Sequence, residues 1–506
     1  MEELKAIVNL LSRQKLKQIE IITEDVQLSE KSKDLFEGIK SGTYNSDEEA
    51  ALALYDSNKN NESYRKLKYR LRERLINTLF FIDIQNYSKH AYEKALNRNY
   101  KHWASAKILM EKGLRGPAMS LLENSLKSVI KFDITDLTVL ILKALKMHYG
   151  LYQFNAYKYN KYKEQYKQYK DIFDYEEQAE EYYTLLGHIV SSTKAYSYNA
   201  EMKQMDLELS SFIEKIKSID AYYLQYYALN AFYFMNLIKK DNQKVLEICN
   251  YAIDYFENKQ GFSRMAIFSF YQKKGISLLG LQQYPEAIEN FEKCLSFNPP
   301  EGGLSWQYIY SYMFTANILL KDYQAAYRIT SFIMNHKKFN SLNETFRQPW
   351  HLKEAFIHFL IKVGEIKPDA EEGVKPLRTF RIGRFLNDVD KFARDKRGLN
   401  ITINIIQMLF LIIDEKYDDV LDKLAALKQY NFRYLKRPEY ARSSNFIKML
   451  LKIPEANYEP DLIRSKAAKF YDNLVSHTSD FSEQSMSIEI IPYEQLWKEI
   501  LSIFEK

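Results

Sequence analysis

Apolar positions recur along this chain at helical spacing. Trp103, Ala106, Leu109 and Met110 fall at i, i+3, i+6 and i+7, and Leu121, Leu122, Leu126 and Ile130 resume the stripe after a break at 113–117. Residues 134–149 are apolar on most sides, which predicts a buried helix. Further upstream, Ser46, Asp47, Glu48 and Glu49 form a capping-box signature that opens a helix, and a long basic helix is predicted over 62–82. Almost no stretch alternates with period two. The exception, 487–493, predicts a short extended segment near the end. The best candidate for a surface connection is 364–376, which carries Gly364, Pro368, Gly373 and Pro376. Many amphipathic helices joined by short turns predict an all-α fold, an α-solenoid of stacked helix pairs.

The clearest unit is 271–299, YQKKGISLLGLQQYPEAIENFEKCLSFNP. The unit resembles the tetratricopeptide repeat (TPR) pattern, in which Tyr271 takes the place of the large aromatic that opens the first helix and Gly275 the place where two helices cross closely. Tyr284 marks the turn, Ala287 and Phe291 are the small and large members of the second helix, and Pro299 ends it. The resemblance to the TPR family has departures at Lys274 and Leu278. Weaker copies flank it around Ala118, Ala144, Tyr233, Ala252, Tyr310, Ala326 and Val420, with periods longer than the roughly 34 residues of a regular repeat. The resemblance implies a TPR-like α-solenoid with helical caps at both ends. Three segments are expected: 1–95 as an N-terminal helical region, 96–440 as degenerate repeats, and 441–506 as a C-terminal helical cap.

Composition narrows the classes. Glycine (15) and proline (11) are scarce in 506 residues, about 5% together against an average near 12%, which argues against β-sandwiches and glycine-rich nucleotide folds. Tyrosine (40) and phenylalanine (30) do most of the filling. Two cysteines, Cys249 and Cys294, make no disulfide framework; a reducing, cytoplasmic compartment is the expectation. The first 25 residues lack the apolar core of a signal peptide, and the longest apolar stretch, 405–413, is far short of the ~20 residues that span a bilayer. A net charge of +6, from 72 basic and 66 acidic side chains, does not by itself call for nucleic acid.

No GxGxxG, P-loop, GxSxG or HExxH motif is present, so no enzyme activity and no cofactor are expected. His351, Glu354 and His358 share one predicted helix face, but nothing nearby completes a metal site. The run Tyr157, Tyr159, Tyr162, Tyr166 and Tyr169, interleaved with lysines, has the residue types for stacking on RNA. It suits a core helix with a solvated lysine side better. Arg378, Arg381 and Arg384 recur every three residues and are followed by Arg394, Lys396 and Arg397. On a helix lining a concave groove, these guanidinium groups would grip an acidic peptide or a phosphate backbone.

The stretch SDEEAALALYDSNKNNESYRKLKYRLRERL, 46–75, resembles the helix-turn-helix core of winged-helix transcriptional activators that carry helical-repeat domains. Its second helix sets Leu67, Leu71 and Leu75 on one face, with Arg65, Lys68 and Arg72 among the basic residues around it, placed for phosphate contacts. No clear wing follows unless 78–84 forms one. The leading reading is a non-enzymatic TPR-type scaffold or adaptor that binds a protein or peptide in its groove. The alternative is a transcription regulator with an N-terminal DNA-binding helix-turn-helix and a TPR-like sensor domain.

Overall fold

The computed structural model describes residues 1, 3–5, 7–8, 30–79, 91–192, 199–259, 261–262, 264–368, 373–389, 399–435, 440–477 and 489–505. Among them the regular structure is helical and no strand occurs. The chain divides into two compact units, the first built from 1–195, 199–232 and 258–263, the second from the remainder. The three expected segments therefore do not coincide with the units: 96–440 is shared between both, and 441–506 lies within the second.

In the first unit, α1 (Glu30–Ser41), α2 (Asp47–Tyr55) and α3 (Glu62–Leu79) enclose a small core of Leu35, Ile39, Ala50, Leu67 and Leu71. The Ser46 side chain caps α2 by accepting from the Glu49 amide at 3.2 Å, while the Glu49 carboxylate accepts from the Asn45 amide at 2.6 Å. Next come α4 (Ala91–Glu111), α5 (Arg115–Lys131), α6 (Thr135–Met147) and the 36-residue α7 (Ala156–Ser191). Gly113, at φ +78°, makes the turn between α4 and α5, the break visible in the apolar stripe. Helix α6 ends in a π turn, His148–Tyr152. The buried-helix expectation for 134–149 holds, with Leu137, Ile141, Leu142 and Leu145 fully covered. Helices α8 (Ala200–Ile216) and α9 (Tyr222–Ile238) follow, and α9 gives its first eleven residues to this unit.

In the second unit, α10 (Asn242–Glu257), α11 (Met265–Gly280), α12 (Tyr284–Ser296), α13 (Leu304–Leu320), α14 (Tyr323–Met334) and α15 (Glu344–Val363) each pack on the next. Each has an apolar stripe that it cannot cover alone. Where α11 meets α12, a Cβ on Gly275 would come within 2.6 Å of the Phe291 ring. The large member of α12 thus occupies the space above the glycine, and Ala287 and Phe291 are both fully buried. Tyr284 opens α12 with Pro285 behind it. After α15 come α16 (Ile382–Val389), α17 (Leu399–Ile413), α18 (Tyr417–Tyr434), α19 (Ala441–Leu450), α20 (Lys452–Glu455), α21 (Pro460–Val475) and α22 (Tyr493–Phe504).

The last helices pack back onto earlier ones of the second unit. Helix α22 returns to pack on α15, and the Tyr323 hydroxyl donates to Gln495 Oε1 at 3.4 Å. Arg442 holds α22 in place: its guanidinium bonds Glu489 at 2.6 and 3.0 Å and Glu494 at 2.7 and 2.8 Å. Phe446 stacks on Tyr493 with centroids 4.2 Å apart. The described part of the expected extended segment, 489–493, forms no strand, and Ile490 and Ile491 are buried.

The Gly275 crossing yields a stability prediction. Phe291 also stacks on Tyr312 at 5.5 Å and is enclosed, so its ring has no free space into which to retreat. Gly275→Ala is expected to cost about 1–3 kcal/mol in chemical denaturation. In the Phe291→Leu background the same change should cost less. Equal costs in both backgrounds would mean that the two residues do not share this contact.

Candidate functional site

Helix α15 positions the candidate site. Asn343 caps its start by accepting from the Thr345 amide at 3.1 Å, and Gly364 ends it at φ +94°. From Gln348 to Val363 the helix is covered on nearly every side, including its polar residues His351, Lys353 and Glu354. Beyond Gly364 the chain runs back along α14 as a strap. The Gln324 side chain pairs with the Lys367 backbone at 3.1 and 3.2 Å. Asn335 donates to the carbonyls of Lys375 and Pro376 at 3.1 and 3.3 Å, and Ser331 donates to Lys375 as well. The predicted surface connection is thus pinned at both ends of its described part, and between strap and helix it leaves a cleft of about 510 Å³.

Asn335, Arg347, His351, Glu354, Arg378 and Asp388 supply the cleft's polar wall. Glu354 is its anchor, with only 4% of its side chain exposed. Arg378 Nε donates to Glu354 Oε1 at 3.2 Å and Nη2 to Oε2 at 3.3 Å, and Nη2 also reaches Asp388 Oδ2 at 2.9 Å. His351 Nδ1 lies 3.4 Å from Glu354 Oε2. Burial raises the Glu354 pKa, but hydrogen bonds from His351 and Arg378 outweigh it and hold the carboxyl below its usual range. His358 lies one turn beyond Glu354, against Phe380, and burial lowers its pKa. Of the three residues that shared a predicted face, His351 and Glu354 meet each other. Among the described residues no group of three or more His, Cys, Asp or Glu side chains is arranged to hold a metal ion.

The arginine cluster is corrected in shape. Arg378 and Arg381 lie in the non-helical strap and only Arg384 lies on α16, so the three do not share a helix face. Arg378 is committed to two carboxylates of its own chain. Arg381 and Arg384 are exposed and form no ion pair among the described residues. Arg394, Lys396 and Arg397 lie outside the described residues. The strap's Phe380 packs on the following helix, stacked on Phe410 at 4.4 Å.

No family model, curated protein or solved structure matches the chain. Its sites are therefore read from their own geometry.

In the first unit, the helix-turn-helix candidate presents fewer free cations than its sequence promises. Lys68 bonds Asp47 at 2.7 Å, and Arg72 reaches Glu3 at 2.8 Å and Glu73 at 3.0 Å. Arg65 alone of the three is exposed without an ion pair among the described residues. The wing candidate 78–84 lies mostly outside the described residues. Most of the tyrosine-lysine run turns inward: Tyr162 is buried and donates to Glu123 at 2.9 Å, and Tyr166 and Tyr169 pack on the core, whereas Tyr157 is exposed. Cys249 and Cys294 are fully enclosed, and burial pushes both thiols up to about 12, so neither is a ready nucleophile.

Sequence reasoning missed Lys353. Its ammonium is enclosed, donates to Ser311 Oγ at 2.5 Å, and sits 4.4 Å from the Trp350 ring and 5.0 Å from Phe314. Burial lowers its pKa to about 7. A lysine on an apolar face at helical spacing is the signal that would have found it.

Two pH predictions follow from these groups. Between about pH 7 and 10.5 the unfolded chain holds the Lys353 proton and the folded chain does not, so this residue makes stability rise with pH there. Lys353→Met should remove that rise and stabilise the protein by about 1–3 kcal/mol at pH 6; a destabilised variant would show that the amine has a partner it needs. For Asp47, burial raises the pKa, but hydrogen bonds from Lys68 and Tyr64 prevail and hold it at about 2. Its contribution is present above the unfolded value near 3.8 and is lost as pH falls towards 2. Asp47→Asn should therefore cost ~1–2 kcal/mol at pH 7 and nothing near pH 2, read by urea midpoints at each pH.

Proposed function

We propose that the protein is a non-enzymatic, TPR-type scaffold or adaptor that holds an acidic peptide or protein segment against its helical stack. The observation that carries this reading is the succession α10 to α15, in which each helix covers the next and a glycine-sized crossing at Gly275 meets Phe291. Stacked pairs of this kind expose one row of helices as a continuous binding surface. Arg381 and Arg384, exposed and without an ion pair among the described residues, would add guanidinium groups able to fork a carboxylate. Arg378 has the complementary task of fixing the strap that presents them. The return of α22 onto α15 departs from purely nearest-neighbour stacking.

The regulatory alternative has less support. Lys68 and Arg72 spend their charge on Asp47, Glu3 and Glu73, so a phosphate backbone would have to break those pairs.

Binding of the full chain to immobilised Glu/Asp-rich peptides tests the proposal. Arg381→Glu with Arg384→Glu should weaken binding at least about tenfold and flatten its salt dependence, each charge-assisted contact being worth ~1.5–3 kcal/mol. The thermal midpoint should stay unchanged, because exposed charges contribute little to stability. Unchanged affinity across salt would remove these residues from the binding surface. Tight, salt-sensitive binding to duplex DNA instead, lost in Arg65→Glu, would favour the regulator.

A further inference from the structure

The first unit carries an exposed apolar end that nothing in the proposed function uses. Its α6–α7 connection and the first residues of α7 leave 150–157, GLYQFNAY, exposed throughout. Leu151 is 70% exposed, and Phe154 and Tyr157 are each 78% exposed. Met147 and Leu114 add to the same end. Helices α4 to α7 run up and down, so the α4–α5 turn and the α6–α7 turn emerge together. The Arg115 guanidinium, 3.7 Å above the Tyr152 ring, joins them. The π turn at His148–Tyr152 widens the end of α6 and directs the tip outward.

Large apolar side chains are seldom concentrated in one exposed turn, because each leaves surface in water that burial would relieve. The cations nearby are the second observation. Lys112, Lys161 and Lys163 make no ion pair among the described residues, whereas Lys158 is offset by Glu123 at 2.9 Å. Glu111 and Glu164 are the acidic neighbours and leave the end net positive. Aliphatic Met147, Leu151 and Leu114 cannot stack on bases, and the tyrosines of α7 that would extend a stacking platform face the core. A protruding tip of mixed aliphatic and aromatic side chains, ringed by lysine, matches the interface of an anionic lipid bilayer. Its apolar groups enter the acyl boundary and its ammonium groups meet the headgroups.

We infer that the α6–α7 tip, with Leu151, Phe154 and Tyr157 at its apex, is a peripheral docking site for anionic membrane surfaces. Co-sedimentation of the full chain with vesicles of phosphatidylcholine mixed with phosphatidylserine tests this, with phosphatidylcholine vesicles alone as the comparison. The parent should bind the mixed vesicles and release as salt rises. Leu151→Ser with Phe154→Ser should lower the partition coefficient about tenfold or more, since each apolar side chain moved out of water carries a factor of that order. Lys161→Glu with Lys163→Glu should weaken binding and reduce its salt slope. These residues are exposed, so the variants should keep the parent's thermal midpoint. The inference is overturned if the parent does not sediment with the mixed vesicles, or if it sediments equally with phosphatidylcholine alone. It is also overturned if single-stranded RNA binds through these same residues while vesicles do not. A parent dimer that Leu151→Ser with Phe154→Ser converts to monomer would reassign the tip to self-association.

Discussion

Helix α15 has to be covered on every side, and much of the second unit answers that requirement. An apolar helix covered by neighbours on all faces is common, but this one carries His351, Lys353 and Glu354 within its enclosed stretch. A buried carboxylate needs partners at fixed distances, or the folded state loses several kcal/mol. Arg378 supplies the pairing from outside the helix, and it can do so only because the strap is tied to α14 through Asn335, Ser331 and Gln324. The cleft is the space between these two obligations: the helix must be covered, and the strap must reach its carboxylate. Helix α22 closes a further side.

Arginine and lysine share the work unequally. Arg378 and Arg442 each fork two carboxylates, and in both cases the planar guanidinium joins segments far apart in sequence. Lysines tend instead to lie over aromatic rings or along helix surfaces, as Lys353, Lys146 and Lys163 do. Which cations remain for a partner is therefore decided by subtraction. Among the described residues, Arg381 and Arg384 in the second unit and Arg65, Lys112, Lys161 and Lys163 in the first are examples of exposed cations without an ion pair. Asp47 illustrates the same subtraction from the acidic side, drawing Lys68 and Tyr64 inward from a helix whose sequence reads as a basic face.

Local order along the chain was legible from residues alone wherever one helix turn contains the whole argument. The Ser46–Glu49 cap, the Gly113 break and the buried helix after residue 134 all rest on spacing of a few residues. The close approach at Gly275 was legible through the repeat resemblance, which pairs a glycine on one helix with a large aromatic on the next. Tertiary structure decided everything that depends on meeting across the chain. Arg378, Arg381 and Arg384 have helical spacing, yet a Pro- and Gly-bearing strap held by α14 carries two of them, because hydrogen bonds to Asn335 and Ser331 outweigh a three-residue periodicity. The same holds for Lys353 and Glu354, neighbours in sequence. Lys353 meets Ser311 and aromatic rings, whereas Glu354 gains Arg378 and His351, because the helix sends adjacent side chains about 100° apart into different surroundings. Sequence sets which groups can pair; only the packed chain sets the distances at which pairing outweighs desolvation.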